Sequence, residues 1–464
     1  NTAFGHSALL SHTTGTRNTA VGNGALCDIT NTQDNTAIGY HAARDSTANY
    51  TTAIGSEAVF RTTGSGNTGV GYRPLYLNTS GAHNTALGYY SLCSNTTGSN
   101  NVAVGCGALC GNTTANNNTA VGFCSLKTNI TGTQNVAIGA CSLFTNDAHN
   151  NVAVGFCSLE SNSTGTLNVA MGSFSLEDNS SGSCNTALGY RALCENTTAS
   201  LNTAVGLCSL RLNTIGCQNT AIGAFSLCNN TTGNFNVAVG EKSMLGAVTG
   251  EFNTAVGQGS LRCNTSGTFN IALGSQALCA NTAGSNNVVV GSCAVRGANI
   301  GNTTAIGFCA LSSLNDTGYN NTAVGYLSQK LTTTGACNTS VGREALQANT
   351  TGAGNTATGY QSLIANTTAA GNTAYGFKAL CANTIGADNT AIGIHAGCQV
   401  TAGGNNTLLG KLAGTSSSPF TVTDATTNHR VVVGNNDVSN AYIKVAWTVT
   451  SDARDKTNFN TVPH

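Results

Sequence analysis

The chain has 464 residues, with 18 basic and 18 acidic side chains, so its formal net charge is zero and only 8% of its residues are charged. Binding to nucleic-acid phosphates needs clustered Lys and Arg, so this composition argues against a nucleic-acid partner. No apolar run approaches the ~20 residues that span a bilayer, which argues against membrane insertion, and no signal peptide is visible. The 40% of hydrophobic residues indicates an ordered protein with a neutral surface of Asn, Thr and Ser.

One short motif, Asn-Thr-Ala-Val-Gly, organises nearly the whole chain. There are 25 copies, most of them 17 residues apart and a few 16 or 18 apart. We number each repeat from position 1, the Asn, to position 17, and residues 84–100 show the consensus nearly complete. The copies begin at residues 1, 18, 35, 51, 67, 84, 101, 118, 135, 151, 168, 185, 202, 219, 236, 253, 270, 287, 303, 321, 338, 355, 372, 389 and 406.

The residue types at each position predict a strand followed by turns. Position 2 is always β-branched, and position 4 is apolar in every copy except the one with Thr358. We therefore expect positions 2 and 4 to face the interior and Ala at position 3 to face outward. Gly at position 5 is present in all copies and predicts a corner with positive φ. Leu at position 9 is expected to make the second apolar contact, and Asn-Thr-Thr-Gly at positions 12–15 is typical of a turn.

These features together predict an all-β fold, a parallel β-solenoid of about 25 rungs of 17 residues. Seventeen residues accommodate two short strands and two turns, whereas a βα unit needs ~30. At ~4.8 Å per rung the copies form a rod roughly 120 Å long. Asn residues at position 1, present in 23 copies, are expected to form a hydrogen-bonded ladder along the rod.

The repeat resembles a known family of surface proteins. Asn-Thr-Ala-Ile-Gly followed by x-x-Ala-Leu is similar to the head repeats of trimeric autotransporter adhesins, over residues 1 to about 412. The resemblance implies a left-handed β-roll and a homotrimeric fibre, with residues 1–412 as its shaft.

The repeat ends at residue 412, and residues 413–450 are expected to form a β-rich neck. Ser416-Ser417-Ser418-Pro419 marks the change. Two strands are predicted, at Arg430–Gly434 and Ala441–Val445, and Trp447, the only tryptophan, is expected to pack at a subunit junction.

Residues 451–464 resemble the start of a second family. The run Ser-Asp-Ala-Arg-Asp-Lys at 451–456 is similar to the opening of the self-cleaving intramolecular chaperone domain of phage tail fibres and endosialidase tailspikes. The resemblance implies that Ser451 is the nucleophile, that Lys456 is the general base, and that the chain is cut between Thr450 and Ser451. A hydroxyl nucleophile needs such an adjacent base. The sequence contains only the beginning of this domain, so we expect no cleavage activity from it alone.

No cofactor or metal site is predicted, because paired CxxC motifs are absent and the eight His residues are scattered. Most of the 19 Cys residues occupy small-residue positions, which favours free thiols, although Cys93 with Cys110, and Cys124 with Cys141, stack closely enough for bridges. The Asn-x-Thr/Ser sequons at position 12 are better explained as a turn ladder than as glycosylation sites. They are Asn78, Asn95, Asn112, Asn129, Asn162, Asn179, Asn196, Asn230, Asn264, Asn349 and Asn366.

The sequence therefore predicts a structural viral fibre or tail-fibre shaft, on the virion surface or otherwise extracellular, rather than an enzyme. Its expected partners are two further copies of itself, a host surface receptor that includes glycans, and a virion protein bound through an N-terminal segment outside this sequence. The main alternative is a bacterial trimeric surface adhesin. An ice-binding solenoid is disfavoured because Thr at position 2 is expected inside, and a hexapeptide-repeat acyltransferase by the 17-residue period. A polysaccharide-cleaving tailspike is disfavoured because no paired carboxylates stand out.

Overall fold

The computed structural model describes residues 1–297, 299–315, 317–418, 420–422 and 427–439, and the structural statements below concern these ranges. Within them all regular structure is β, in 26 strands of three residues each. The strands are β1 Thr2–Phe4, β2 Thr19–Val21, β3 Thr36–Ile38, β4 Thr52–Ile54, β5 Thr68–Val70, β6 Thr85–Leu87, β7 Val102–Val104, β8 Thr119–Val121, β9 Val136–Ile138, β10 Val152–Val154, β11 Val169–Met171, β12 Thr186–Leu188, β13 Thr203–Val205, β14 Thr220–Ile222, β15 Val237–Val239, β16 Thr254–Val256, β17 Ile271–Leu273, β18 Val288–Val290, β19 Thr304–Ile306, β20 Thr322–Val324, β21 Thr339–Val341, β22 Thr356–Thr358, β23 Thr373–Tyr375, β24 Thr390–Ile392, β25 Thr407–Leu409 and β26 Val431–Val433.

Each strand pairs in parallel with the strands before and after it, so every repeat forms one coil of a β-solenoid. The register joins equal positions of neighbouring repeats, as in Thr85 with Val102 and Ala86 with Ala103. A repeat of 16 residues keeps this register, because Thr36 of β3 still pairs with Thr52 of β4. The predicted parallel β-solenoid with a 17-residue period is therefore confirmed.

The strand faces the interior with position 3, so the prediction for the two faces is wrong. Ala86 and Ala103 are fully buried, whereas Leu87 at position 4 is 46% exposed. The same pattern, a buried central residue between two more exposed neighbours, holds from β2 to β26. The physical reason is the width of the coil: Leu92 at position 9 fills the interior opposite the strand, and only a methyl group fits between them.

Exceptions at position 3 follow from the same limit on volume. Leu408 stands where most repeats have Ala, and position 9 of its own and of the preceding repeat is Gly. A Cβ atom on Gly397 would lie 2.6 Å from Leu408 Cδ1, and one on Gly414 would lie 2.8 Å from Leu408 Cδ2. The large side chain has moved from one side of the coil to the other while the filled volume is kept.

The return segment of each repeat, positions 6–17, contains no strand in the described residues, so the second predicted strand is absent. Positions 7, 9 and 17 adopt left-handed φ, as at Tyr90 (51°), Leu92 (49°) and Asn100 (59°). The segment is still hydrogen-bonded to both neighbours: Tyr90 N donates to Tyr72 O at 3.0 Å, and Leu92 N donates to Ala108 O at 3.0 Å. The turns therefore replace a second sheet without leaving these backbone groups unpaired.

The glycine corner at position 5 is confirmed. All 25 of these glycines have φ between 111° and 144°. A Cβ atom on Gly88 would lie 2.5 Å from the carbonyl oxygen of Gly105, one rung further along. Glycine is required here both by the backbone angle and by the close approach of the next rung.

Two ladders of buried asparagines run through the interior. At position 1, Asn101 N donates to Asn84 Oδ1 at 3.0 Å, which confirms the predicted ladder. At position 12, Asn95 Nδ2 donates to Asn78 Oδ1 at 2.7 Å and to Gly98 O at 2.9 Å. The asparagine of every sequon at position 12 is fully buried, which supports the turn ladder and leaves no accessible amide for a glycan.

The first predicted neck strand is present as β26, which pairs with β25 and continues the same sheet, with Leu408 opposite Val432. The second predicted strand, Ala441–Val445, lies outside the described residues, as does Trp447. The boundary proposed at residue 412 is therefore crossed by one further rung of the sheet.

Candidate functional site

The predicted catalytic residues, Ser451 and Lys456, and the cleavage position between Thr450 and Ser451 lie outside the described residues. Their roles remain predictions from the resemblance. Candidate sites in the described part of the chain are instead surfaces formed by columns of side chains at equal positions.

The largest such surface is an apolar stripe, defined by the side chains at positions 2 and 4 of the 25 repeats. It includes exposed large side chains such as Ile138 (41%), Leu188 (44%) and Tyr375 (60%). No charged residue occurs at either position in any repeat. At ~4.8 Å per rung and a width of about 10 Å, the stripe covers roughly 1,200 Å². Soluble monomers rarely expose contiguous apolar patches of more than about 300–600 Å².

Aromatic side chains extend this stripe on both of its edges. At position 6, just after the glycine corner, Tyr72 and Tyr89 stack with ring centroids 5.4 Å apart. At position 17, just before the strand, Phe235, Phe252 and Phe269 form a stack with centroid distances of 4.7 and 5.1 Å. All five rings are more than a third exposed. The apolar surface is therefore wider than the strand in these repeats.

A basic cleft lies on the return segment. It has a volume of about 160 Å³ and is lined by Lys242, Gln258, Gly259, Arg262, Gln276, Cys279 and Arg296. Gly259 occupies position 7, where a Cβ atom would meet only Gln276 Cγ, at 3.9 Å, so the missing side chain opens the cleft. Lys242 pairs with Glu241 at 2.9 Å. Neither Arg262 nor Arg296 takes part in an ion pair within the described residues, which leaves two guanidinium groups available to an anion.

Cysteine side chains form the third kind of site, and all 19 are free thiols in the structure. Cys93 Sγ lies 3.1 Å from Cys110 Sγ on the next rung, as the repeat spacing predicted. The Cys110 thiol donates to Cys93, so the pKa of Cys93 is lowered to about 6. The same hydrogen bond, together with burial, raises the pKa of Cys110.

A second cysteine group was missed by the sequence analysis. Cys141 and Cys157 occupy position 7 of consecutive repeats, and Glu160 occupies position 10 of the second. Their two Sγ atoms and a carboxylate oxygen all lie within 4.8 Å of one another. Burial raises the pKa of Cys157 to about 12, and the neighbouring Glu160 carboxylate adds to the shift. We call these three residues the thiol–carboxylate cluster; only the alignment of repeats into columns could have revealed it.

Comparison with known proteins gives no family assignment: no protein-family model matches the chain, and no curated protein matches it. The fold defines it as a β-solenoid repeat protein. Among the residues described by the structure, no helix has the length and apolar character needed to cross a lipid bilayer.

Proposed function

We propose that this chain is the shaft of a homotrimeric viral fibre that serves host attachment at the virion surface. The observation that carries the proposal is the apolar stripe, a straight and uncharged face that runs along the whole solenoid. Burial of such a face against other protein is favourable by about 25 cal/mol for each Å² of apolar surface removed from water.

The partner best suited to this face is another copy of the same chain. A partner must present apolar groups at the same spacing over roughly 120 Å, and a second solenoid has the same ~4.8 Å rung repeat. The stripe offers roughly 1,200 Å² on each copy, above the ~800 Å² per partner of a standard stable interface. Around a threefold axis each copy meets two neighbours, so both aromatic edges at positions 6 and 17 are covered. A face-to-face dimer would leave these edges exposed, and the resemblance to adhesin heads also favours three copies.

The basic cleft supports the attachment role. Two Arg side chains without acidic partners converge there with glutamine amides, a combination suited to the carboxylate or sulfate of an acidic host glycan. We infer that the shaft itself contributes to receptor binding. The chain acts in this proposal as a structural protein, and its only chemistry is the self-cleavage implied at Ser451 and Lys456.

The molar mass in solution tests the proposal. Sedimentation equilibrium of the purified chain should give three times its mass of 46.7 kDa. The triple variant Val121→Lys, Ile138→Lys and Val154→Lys places three charges on the apolar stripe and should sediment as a monomer. The matched control places three lysines at exposed position 14, as Thr97→Lys, Thr114→Lys and Thr198→Lys, and should remain trimeric. A monomeric parent chain would contradict the proposal.

The alternative of a bacterial trimeric adhesin shares the same shaft. The gene sequence after His464 separates the two, since roughly 100 further residues of chaperone domain would support the viral fibre. A coiled coil followed by a membrane anchor would instead support the adhesin.

Ice binding becomes a second candidate because Thr at position 2 faces outward. Eighteen of the 25 repeats have Thr there, on one face of a regular sheet. Position 4 argues against it, because Val, Ile, Leu, Met and Tyr alternate irregularly and make the face uneven. A monomer that inhibits ice recrystallisation would favour this candidate over the fibre.

A further inference from the structure

The thiol–carboxylate cluster brings three metal-ligating side chains together on the return segment. Cys141 and Cys157 are stacked one rung apart, because β9 and β10 pair in register despite a spacing of only 16 residues between the repeats. Glu160 follows Cys157 by three residues on the same rung. The two Sγ atoms and a carboxylate oxygen lie within 4.8 Å of one another.

From this geometry we propose that Cys141, Cys157 and Glu160 bind a thiophilic divalent cation, with Zn²⁺ as the physiological ion. Zn²⁺ binds thiolate sulfur at about 2.3 Å and carboxylate oxygen at about 2.0–2.2 Å, in tetrahedral sites. Donors at these lengths stand roughly 3.5–3.8 Å apart, so small side-chain rotations close the set. Binding deprotonates both thiols and releases two protons to solvent. The three ligands then carry three negative charges against the two positive charges of the ion.

The surroundings favour a cation at this place. Glu160 takes part in no ion pair within the described residues. Phe144 precedes Glu160 in the position 10 column, and Phe174 follows Cys157 in the position 7 column, so aromatic groups stand on both sides. The preceding cation in the position 10 column, Lys127, lies over the Phe144 ring at 5.3 Å from its centroid. Low local polarity strengthens the attraction between an ion and its charged ligands.

The backbone holds both cysteines in place before the ion binds. Cys141 N donates to Phe123 O at 2.9 Å, and Cys157 N donates to Ala140 O at 3.0 Å. Because these bonds belong to the rung-to-rung ladder, the ion would tie two adjacent rungs together. The cluster lies at positions 7 and 10, away from the apolar stripe, so it does not depend on trimer formation.

The chain offers a matched control in Cys208. It occupies position 7, as Cys141 and Cys157 do, but position 10 of its repeat is Arg211 instead of an acid. A cation is repelled by this guanidinium, so Cys208 reports thiol chemistry at the same place in the coil without a metal site.

Alkylation mapping of the reduced full-length chain tests the proposal. One equivalent of Zn²⁺ should slow N-ethylmaleimide labelling of Cys141 and Cys157 at least tenfold and leave Cys208 unchanged. Glu160→Gln should abolish most of this protection, with the far-UV circular dichroism spectrum unchanged as the control for folding. Co²⁺ should give the intense visible d–d bands of a tetrahedral thiolate site, and Cys157→Ser should remove them. Equal protection of Cys208, or full protection in Glu160→Gln, would overturn the proposal.

Discussion

Gln329 Nε2 donates a hydrogen bond to Ser340 Oγ at 2.9 Å inside a core that is otherwise almost entirely Leu and Ala. Gln329 occupies position 9 and Ser340 position 3 of the next repeat, so the polar pair spans the coil. Ser328 Oγ joins the network at 2.5 Å from Ser340 Oγ. Gln329 Oε1 has no hydrogen-bond partner although the side chain is fully buried. The apolar core is divided here, with one cluster ending at Ala323 and the next beginning at Ala345.

We predict that this pair lowers stability locally. The double variant Gln329→Leu with Ser340→Ala restores the consensus and removes the unpaired carbonyl, so it should raise the free energy of unfolding by about 1–3 kcal/mol. Ser340→Ala alone should lower it, because Gln329 Nε2 then loses a partner. Urea unfolding followed by circular dichroism measures both, and a destabilised double variant would contradict the interpretation.

The asparagine ladder at position 12 has a direction, and its breaks are predictable. Each Nδ2 donates to the Oδ1 of the preceding rung, so an Asn followed by an aliphatic rung has an unpaired Oδ1. Asn230 is such a case, because Val248 is buried where the next rung would supply the amide. Asn179 lies within an unbroken run and accepts from Asn196 at 2.7 Å.

We therefore expect Asn179→Val to destabilise the protein more than Asn230→Val, by about 1–3 kcal/mol. Both residues donate to the preceding Asn at 2.7 Å, to Asn162 and Asn213 respectively, so only the loss on the accepting side differs. Chemical denaturation of the two variants in parallel measures the difference. Equal destabilisation would mean that the accepting side contributes nothing.

Asp147 replaces a main-chain acceptor in a shortened repeat. In full-length repeats one carbonyl accepts three N–H groups, as Thr113 O does from residues 96, 97 and 98. In the 16-residue repeat, Asp147 Oδ1 accepts from Ile130 N at 3.0 Å, Thr131 N at 2.6 Å and Gly132 N at 3.2 Å. Partial burial raises the pKa of Asp147, but these donors outweigh it and the pKa lies below its ordinary value.

The stability that Asp147 contributes should therefore be present above the unfolded pKa of about 3.9 and be lost as pH falls through the lower folded value. Asp147→Asn keeps an oxygen acceptor but loses the charge. The difference in Tm between the parent and Asp147→Asn should shrink between pH 6 and pH 2. A constant difference across this range would show that the carboxylate charge has no part in it.

Cys93 is expected to be the most reactive of the paired thiols near neutral pH. Its thiolate forms above a pKa of about 6, so its alkylation rate should rise through pH 6 and level off by pH 8. Mild oxidation should join it to Cys110, whose Sγ lies 3.1 Å away.

Cys381 and Cys398 provide the comparison, since they stack at the same position 10 but burial raises the pKa of both. Peptide mapping after alkylation at each pH measures the four rates. A Cys381 rate that equals that of Cys93 at pH 7 would contradict the assignment.

The basic cleft should bind acidic saccharides through its unpaired guanidinium groups. Arg262→Gln with Arg296→Gln should weaken retention on a sialylated or sulfated glycan surface at least tenfold, with the loss largest at low salt. Arg61→Gln is the control, because Arg61 Nε already donates to Asp45 Oδ2 at 2.8 Å. Surface plasmon resonance at two ionic strengths measures the effect, and equal losses in both variants would indicate unspecific charge attraction.

The sequence by itself determined the coil, because the 17-residue period, the invariant Gly at position 5 and the Asn at position 1 each have one physical solution. The positive φ at Gly88 and the Asn84–Asn101 ladder followed directly from residue type. Tertiary structure decided which face of the strand points inward. Thr85 and Leu87 alternate with Ala86, and alternation alone is compatible with either phase. Only the space left by Leu92 across the coil shows that a methyl group must be the inner one. The thiol–carboxylate cluster likewise required the stacked register, since distances between columns depend on how consecutive rungs align.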